Sequence, residues 1–267
     1  MIKLVASDLD GTILKNGAQV LPDGFIDLIR KLMQAGIHFA AASGRQYANM
    51  RRLFEPLGDE ISYICENGAL TFYKGELLNQ DLFPDDLLRD ILREAQAKEG
   101  CEATSSMWDV QYLLSDNPEF IRMLTEVIRY DCKVASSVEE IPCGCIKAAV
   151  YEYCGDMEEN LAYWKERFGS RCKVATSGSR WLDFIPFQTN KGNGVRELLR
   201  KLELKPEECM VFGDEYNDIE MLQNVTYSVA MSYAKEGVRQ AAAFQADSVE
   251  EIFEKRIQTG GETGGLF

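Results

Sequence analysis

The chain predicts a doubly wound α/β fold, a Rossmann-like parallel-sheet core interrupted by an inserted α+β domain. Three observations point there. Short apolar runs alternate with helical stripes over the first 65 residues, the pattern of right-handed parallel crossovers with both sheet faces covered. That rhythm breaks near Asp81 and resumes after Pro186. The length, 267 residues, suffices for two domains, each with a core of its own.

Residues 2–7 read as a short buried strand. Apolar residues at 25, 28, 29, 32 and 33 form a helical stripe within 22–35, and Gly36 is placed to end that helix. Residues 37–42 give a second strand, 46–55 a helix and 62–65 a third strand; 68–79 read as a hairpin turning at Lys74-Gly75. Between 81 and 186, helical stripes at 84–98, 117–130 and 156–168 alternate with strand-like runs at 110–115, 146–152, 171–176 and 181–186. After Pro186, 192–202 is helical, 209–213 a buried strand, 219–223 helical, 227–230 a strand, and 238–242 and 249–256 helical. The glycine-rich tail, 259–267, is expected to be disordered. The expected division is thus a discontinuous core at 1–80 and 187–267 and an inserted domain at 81–186. Ligands of such a core sit outside the carboxyl ends of its strands.

Composition narrows the partners. Lys and Arg number 29 against 43 Asp and Glu, so nucleic acid or an anionic membrane meets net repulsion. No apolar stretch reaches the roughly 20 residues needed to span a bilayer. The opening segment is too short for a signal peptide before Asp8 and Asp10. A cytoplasmic protein is expected, and its eight cysteines, with no CxxC pair, read as reduced thiols, many of them small core residues. His38, the one histidine, lies inside an apolar strand and reads as a core residue.

Four polar clusters mark the ends of the core elements: Asp8-Leu9-Asp10-Gly11-Thr12, Ser43-Gly44-Arg45, Asn190-Lys191-Gly192 and Gly213-Asp214-Glu215-Tyr216-Asn217-Asp218. In a parallel sheet they converge on one edge. Asp8, Asp10 and Asp214, with Asp218 close behind, then crowd several negative charges into one crevice. A hard divalent cation with oxygen ligands relieves that repulsion, and Mg²⁺ is the ordinary choice. The alternative for Asp8 and Asp10, that they only cap turns, explains one cluster but not two at opposite ends of the chain. Lys191 and Arg45 supply positive charge, and the Ser43 hydroxyl and Gly44 N–H form a seat for a phosphate. Taken alone, Lys191 reads first as a solvated lysine at a helix start, and Ser43 as an N-cap, a role compatible with binding.

In order and spacing, Asp8-Leu9-Asp10-Gly11-Thr12, Ser43, Lys191 and Gly213-Asp214-x-x-Asn217-Asp218 resemble the four motifs of the haloacid dehalogenase superfamily. The insertion between the second and third motifs, and Asn67-Gly68-Ala69, are similar to its Cof-type, C2B-capped branch (subfamily IIB), whose members are sugar-phosphate phosphatases. The resemblance implies a phosphomonoesterase acting on a small phosphorylated metabolite. It implies Asp8 as nucleophile, Asp10 as general acid and base, and Mg²⁺ held by Asp8, the Asp10 main-chain carbonyl and Asp214, with Asp218 orienting a bound water. Lys191, Ser43, the Gly44 N–H, the backbone near Leu9 and Asn217 would take the phosphoryl oxygens. Aspartate rather than threonine at position 10 favours a phosphatase or mutase over an ATP-driven pump. The insertion is expected to select the leaving group, with Arg45, Asn67, Arg180 and Trp181 as candidate contacts. Trp108 is a further candidate, although Trp108 and Trp181 read first as packing residues. The rivals are a phosphohexomutase of the same cap type and a catalytically silent phosphate-binding module.

Overall fold

The structure, a computed structural model, describes residues 1–128, 130–176 and 180–258. The disorder expected for 259–267 falls outside them. The chain divides into two compact units, Met1–Gln80 with Asn190–Phe267, and Asp81–Thr189.

In the first unit the chain runs β1 (Leu4–Asp8), α1 (Phe25–Gln34), β2 (His38–Ala42), α2 (Tyr47–Leu53), β3 (Ser62–Cys65), β4 (Leu70–Tyr73) and β5 (Glu76–Gln80). The second unit carries α3 (Asp85–Ala97), β6 (Cys101–Ser106), β7 (Gln111–Leu114), α4 (Pro118–Arg122), β8 (Cys132–Ala135), β9 (Lys147–Glu152), α5 (Met157–Phe168), β10 (Lys173–Thr176) and β11 (Trp181–Ile185). The first unit then resumes with α6 (Lys191–Lys201), β12 (Cys209–Gly213), α7 (Ile219–Gln223), β13 (Tyr227–Met231), α8 (Glu236–Ala241), β14 (Phe244–Ala246) and α9 (Val249–Gln258).

The first unit's sheet has the order β14-β13-β12-β1-β2-β3-β4-β5. All pairs from β14 to β3 are parallel, and β4 and β5 extend the edge as an antiparallel hairpin. Every residue of β1 is buried, as a strand covered on both faces requires. On one face, Phe25 of α1 and Phe253 of α9 meet Phe39 and Phe212 of the sheet with ring centroids 5.6 to 6.4 Å apart. On the other, Gly194 of α6 packs on Ile64 and Thr71. The chain leaves β1 toward β2 and β3 and later returns on β1's other side through β12. This is the topological switch point of an open α/β sheet, and it sets the crevice between the carboxyl ends of β1 and β12.

The second unit's sheet has the order β10-β11-β9-β6-β7-β8, antiparallel except between β7 and β8. α3 and α5 bury Leu88, Ile91, Leu92, Trp164 and Phe168 against Ala103, Ala148, Val150, Leu182 and Phe184 on one face. Phe120 and Leu124 pack on Leu113, Tyr151 and Trp181 on the other.

Beyond β6, β8 and β14, which the sequence expectation lacks, three details differ from it. The helix expected over 117–130 is α4 followed by a wider π-helical turn at Met123–Val127, where Thr125 Oγ1 donates to the Ile121 carbonyl at 2.9 Å. The inserted unit runs to Thr189 rather than 186, because Thr189 is tied back into it. Its hydroxyl donates to Asp81 Oδ2 at 2.8 Å, and its carbonyl accepts from Lys173 Nζ at 3.0 Å. Trp108, read first as a packing residue, sits half-exposed between β6 and β7.

Candidate active site

Asp8 is the last residue of β1, paired in register with Ala42 of β2. Just beyond it the chain doubles back: Ile13 N–H and Leu14 N–H both donate to the Leu9 carbonyl, at 3.0 and 2.7 Å. Gly11 permits this, with φ at 97° and its α-carbon so near Asp214 that a Cβ would overlap the carboxyl. The Thr12 hydroxyl donates to Asp214 Oδ1 at 2.7 Å, and the Tyr233 hydroxyl donates to the Gly11 carbonyl at 2.7 Å. The β1 loop and the β12 loop are thus bonded to each other.

Lys191 is the first residue of α6 and is buried to 1% exposure. Its Nζ donates to Asp8 Oδ1 at 2.5 Å and to Asp218 Oδ1 at 2.7 Å. Asp218 is fully buried, and its other oxygen accepts the Asp214 and Glu215 N–H groups at 2.9 and 3.0 Å. Both of its oxygens are therefore occupied in holding Lys191 and the β12 loop. Burial pushes the Asp8 carboxyl well above the usual carboxylate range; Lys191 opposes this, and Asp218 and Asp214 add to it. Burial likewise raises Asp214, a shift that the Thr12 hydrogen bond resists. For Lys191, burial disfavours the ammonium, but Asp218 and Asp8 outweigh it and hold the group charged.

Three carboxylates thus gather where one ammonium bonds only two of them, Asp8 and Asp218. Asp8, Asp214 and Asp218 each offer an oxygen within 4.8 Å of the others. Asp8 Oδ2 is buried without a hydrogen-bond partner, which is costly unless something else meets it. Surplus negative charge, an orphaned oxygen and an all-oxygen donor set fit a hard divalent cation.

Asp10 lies apart from this knot, with its side chain half-exposed. Arg45 holds it by two bonds, Nη2 to Oδ1 at 2.6 Å and Nε to Oδ2 at 2.9 Å. Ser43, at the end of β2, is buried; its hydroxyl accepts the Arg45 N–H at 3.1 Å and lies 3.4 Å from Asp10 Oδ2. Asn217 Nδ2 donates to Asn67 Oδ1 at 3.0 Å, and Gly44 lies against the same Asn67 amide. The structure therefore brings Asp8, Lys191, Asp214 and Asp218 into one cluster. Asp10, Ser43 and Arg45 form a second, and Gly44, Asn67 and Asn217 a third, all within the first unit.

Arg180 and Trp181 belong to the second unit and are engaged there. Arg180 donates to the Glu152 carbonyl at 3.1 Å and to that of Tyr153, and Trp181 packs edge-on against Tyr151 at 5.0 Å. Sequence reasoning assigned no role to Thr12, visible only as part of its motif, and overlooked Tyr233, which carries no signal in its neighbours.

A hydrolase core with its acidic cluster at the switch point is the class that fold and site define. The family model for haloacid dehalogenase-like hydrolases matches residues 5–252, and the chain belongs to that family, in its Cof-type branch. It is similar to the 5-amino-6-(5-phospho-D-ribitylamino)uracil phosphatase YbjI of Escherichia coli, 26% identical over 92% of this chain and 91% of that protein. It is also similar to the HMP-PP phosphatase of Serratia proteamaculans, 27% identical over 88% of this chain and 85% of that one. Among solved structures, the subclass IIB sugar phosphatase BT4131 shares the fold with a TM-score of 0.78 at 23% identity, over 97% of this chain and all of that one. With this family and these relatives, the protein is a phosphatase.

Proposed function

We propose that the protein is a Mg²⁺-dependent phosphomonoesterase that hydrolyses small phosphorylated metabolites through an aspartyl-phosphate on Asp8. The observation that carries the reading is the buried Asp8 carboxylate, with one oxygen on Lys191 and the other without a partner, at the switch point of the sheet. Asp8 attacks phosphorus as the bond to the leaving oxygen breaks. Asp10 turns from Arg45 to protonate that oxygen, then takes a proton from the water that hydrolyses the aspartyl-phosphate. Lys191 holds Asp8 in line and offers positive charge to the phosphoryl oxygens. The Ser43 hydroxyl, the Gly44 N–H, the backbone at Leu9 and Asn217 would receive the rest. Asp8, the Asp10 carbonyl and Asp214 would hold Mg²⁺, with Asp218 behind them. When bound, the ion neutralises charge that otherwise sets an anionic nucleophile against an anionic substrate.

The relatives' phosphorylated substrates support a small metabolite with a phosphoryl end. A cytoplasmic site of action goes with that reading, because phosphate esters are charged and do not cross bilayers unaided. The test is phosphate release from a panel of sugar phosphates, phosphorylated pyrimidines and cofactor phosphates, with Mg²⁺ and with EDTA. Turnover that needs Mg²⁺ but no bisphosphate activator is expected. Transfer between hydroxyls without phosphate release would replace the reading with a mutase.

A further inference from the structure

The short segment after β3 holds the other site loops in register. Three consecutive residues there have left-handed backbone, Glu66 at φ 49°, Asn67 at 57° and Gly68 at 97°. For residues other than glycine this conformation is disfavoured, and it persists where the surroundings enforce it. Here the surroundings are the motif loops. The Glu66 N–H donates to the Arg45 carbonyl at 3.0 Å, and the Asn67 N–H to the Ser43 carbonyl at 3.1 Å. Gly68 approaches Asn190 and Lys191 so closely that a Cβ would overlap the Asn190 carbonyl. The Asn67 amide accepts from Asn217 and lies against Gly44. One tight turn thus touches the loops that carry Ser43, Lys191 and Asn217.

We propose that Asn67 is a positioning residue rather than a leaving-group contact. Its amide orients Asn217 and backs the Gly44 backbone, so that both donors meet the transferring phosphoryl group without reorganising. Asparagine suits the position because it tolerates left-handed backbone and still presents an acceptor. The inference rests on Asn217 and Gly44 acting as phosphoryl donors in the proposed reaction. A contact to the leaving group would matter for some substrates and not others. A positioning defect acts on the phosphoryl group and so weighs equally on all.

Asn67→Gly keeps the left-handed turn without strain and removes the amide. Measured on p-nitrophenyl phosphate and on a hexose 6-phosphate, its kcat is expected to fall about tenfold on both. Asn217→Ala should lose a similar factor, and the double variant should be no worse than the poorer single one, since the two side chains act as a unit. Losses confined to one substrate, losses that multiply in the double variant, or no loss in Asn67→Gly beside an impaired Asn217→Ala would overturn the proposal. An unimpaired Asn217→Ala removes Asn217 from the proposed chemistry and this inference with it. Asn67→Asp preserves the turn and the acceptor for Asn217, and its kcat should stay within about threefold of wild type even if KM rises. A kcat as low as that of Asn67→Gly would also overturn it, and this variant keeps the test open should the glycine variant fail to fold.

Discussion

Each unit sets a lysine against a buried carboxylate, and only one of the two sites closes. In the second unit, Glu152 is 1% exposed and both oxygens are met: Trp164 Nε1 donates to one at 2.6 Å and Lys98 Nζ to the other at 2.5 Å. One charge meets one charge, and every lone pair that matters has a donor. In the first unit, Lys191 is divided between Asp8 and Asp218, Asp214 stands beside them, and Asp8 Oδ2 has no partner. The first arrangement is a finished structural contact. The second keeps charge and bonding capacity in reserve for something the polypeptide does not provide. Buried charge by itself does not mark a reactive centre; buried charge left unbalanced does.

The contrast is sharpest when one carboxylate is neutralised in each place. Asp8→Asn should lower kcat by a factor of about a thousand or more, since the nucleophile is gone. The same change removes surplus negative charge from a crowded cluster, so the melting temperature followed by far-UV circular dichroism should hold or rise. A variant that turns over substrate near the wild-type rate would break the comparison. Glu152→Gln should do the reverse. It takes the counter-charge from Lys98, which keeps Asn160 as an acceptor, and is expected to cost about 2 kcal/mol of stability. All three tryptophans, Trp108, Trp164 and Trp181, lie in the second unit, so urea unfolding followed by tryptophan fluorescence reads that unit. An unchanged midpoint would show that the pair contributes little.

The open site should also respond to a cation where the closed one does not. At about 100 times its dissociation constant, Mg²⁺ binding only the folded state stabilises by roughly 2.7 kcal/mol. Wild type and Glu152→Gln should both show this rise in melting temperature, and Asp214→Asn should lose most of it. An equal rise in all three would move the binding site elsewhere.

The same contrast governs how far the sequence could be read. The parallel core was legible because each of its central strands is an apolar run that stops at a polar cluster, as β1 does at Asp8 and β12 at Asp214. Charged residues at the ends of buried strands stand out against their surroundings. Glu152 does not stand out, because nothing local shows that a residue at the end of β9 will meet Trp164 and Lys98. β6 was missed for a related reason: Thr104, Ser105 and Ser106 are polar yet buried, a consequence of their place between β9 and β7. β8 and β14 were missed as well, each only a few residues long and lying at a sheet edge. The left-handed turn at Asn67 was visible only as a family segment, since its geometry comes from the loops around it. The π-helical turn after α4 follows an apolar stripe that a regular helix would also have produced.

A half-buried titratable group has neither arrangement. His38 of β2 has a neutral partner, with Nε2 2.8 Å from Ser62 Oγ, and its ring lies 5.3 Å from that of Tyr73. Burial, with a smaller push from the Lys74 ammonium, lowers its pKa to about 4. An unfolded histidine titrates near 6.5. Between these values the unfolded chain binds a proton that the folded chain refuses. Stability is therefore complete above about pH 6.5, falls with pH through that window, and loses no more below about 4. By pH 5 the loss is about 2 kcal/mol. His38→Gln keeps a hydrogen-bonding group for Ser62 and cannot titrate. Guanidinium unfolding at pH 7 and pH 5, followed by far-UV circular dichroism, should show the wild type losing that much more than the variant. Parallel losses in the two proteins would mean that β2 accommodates the imidazolium, and that burial in this sheet penalises charge far less than the Asp8 site requires.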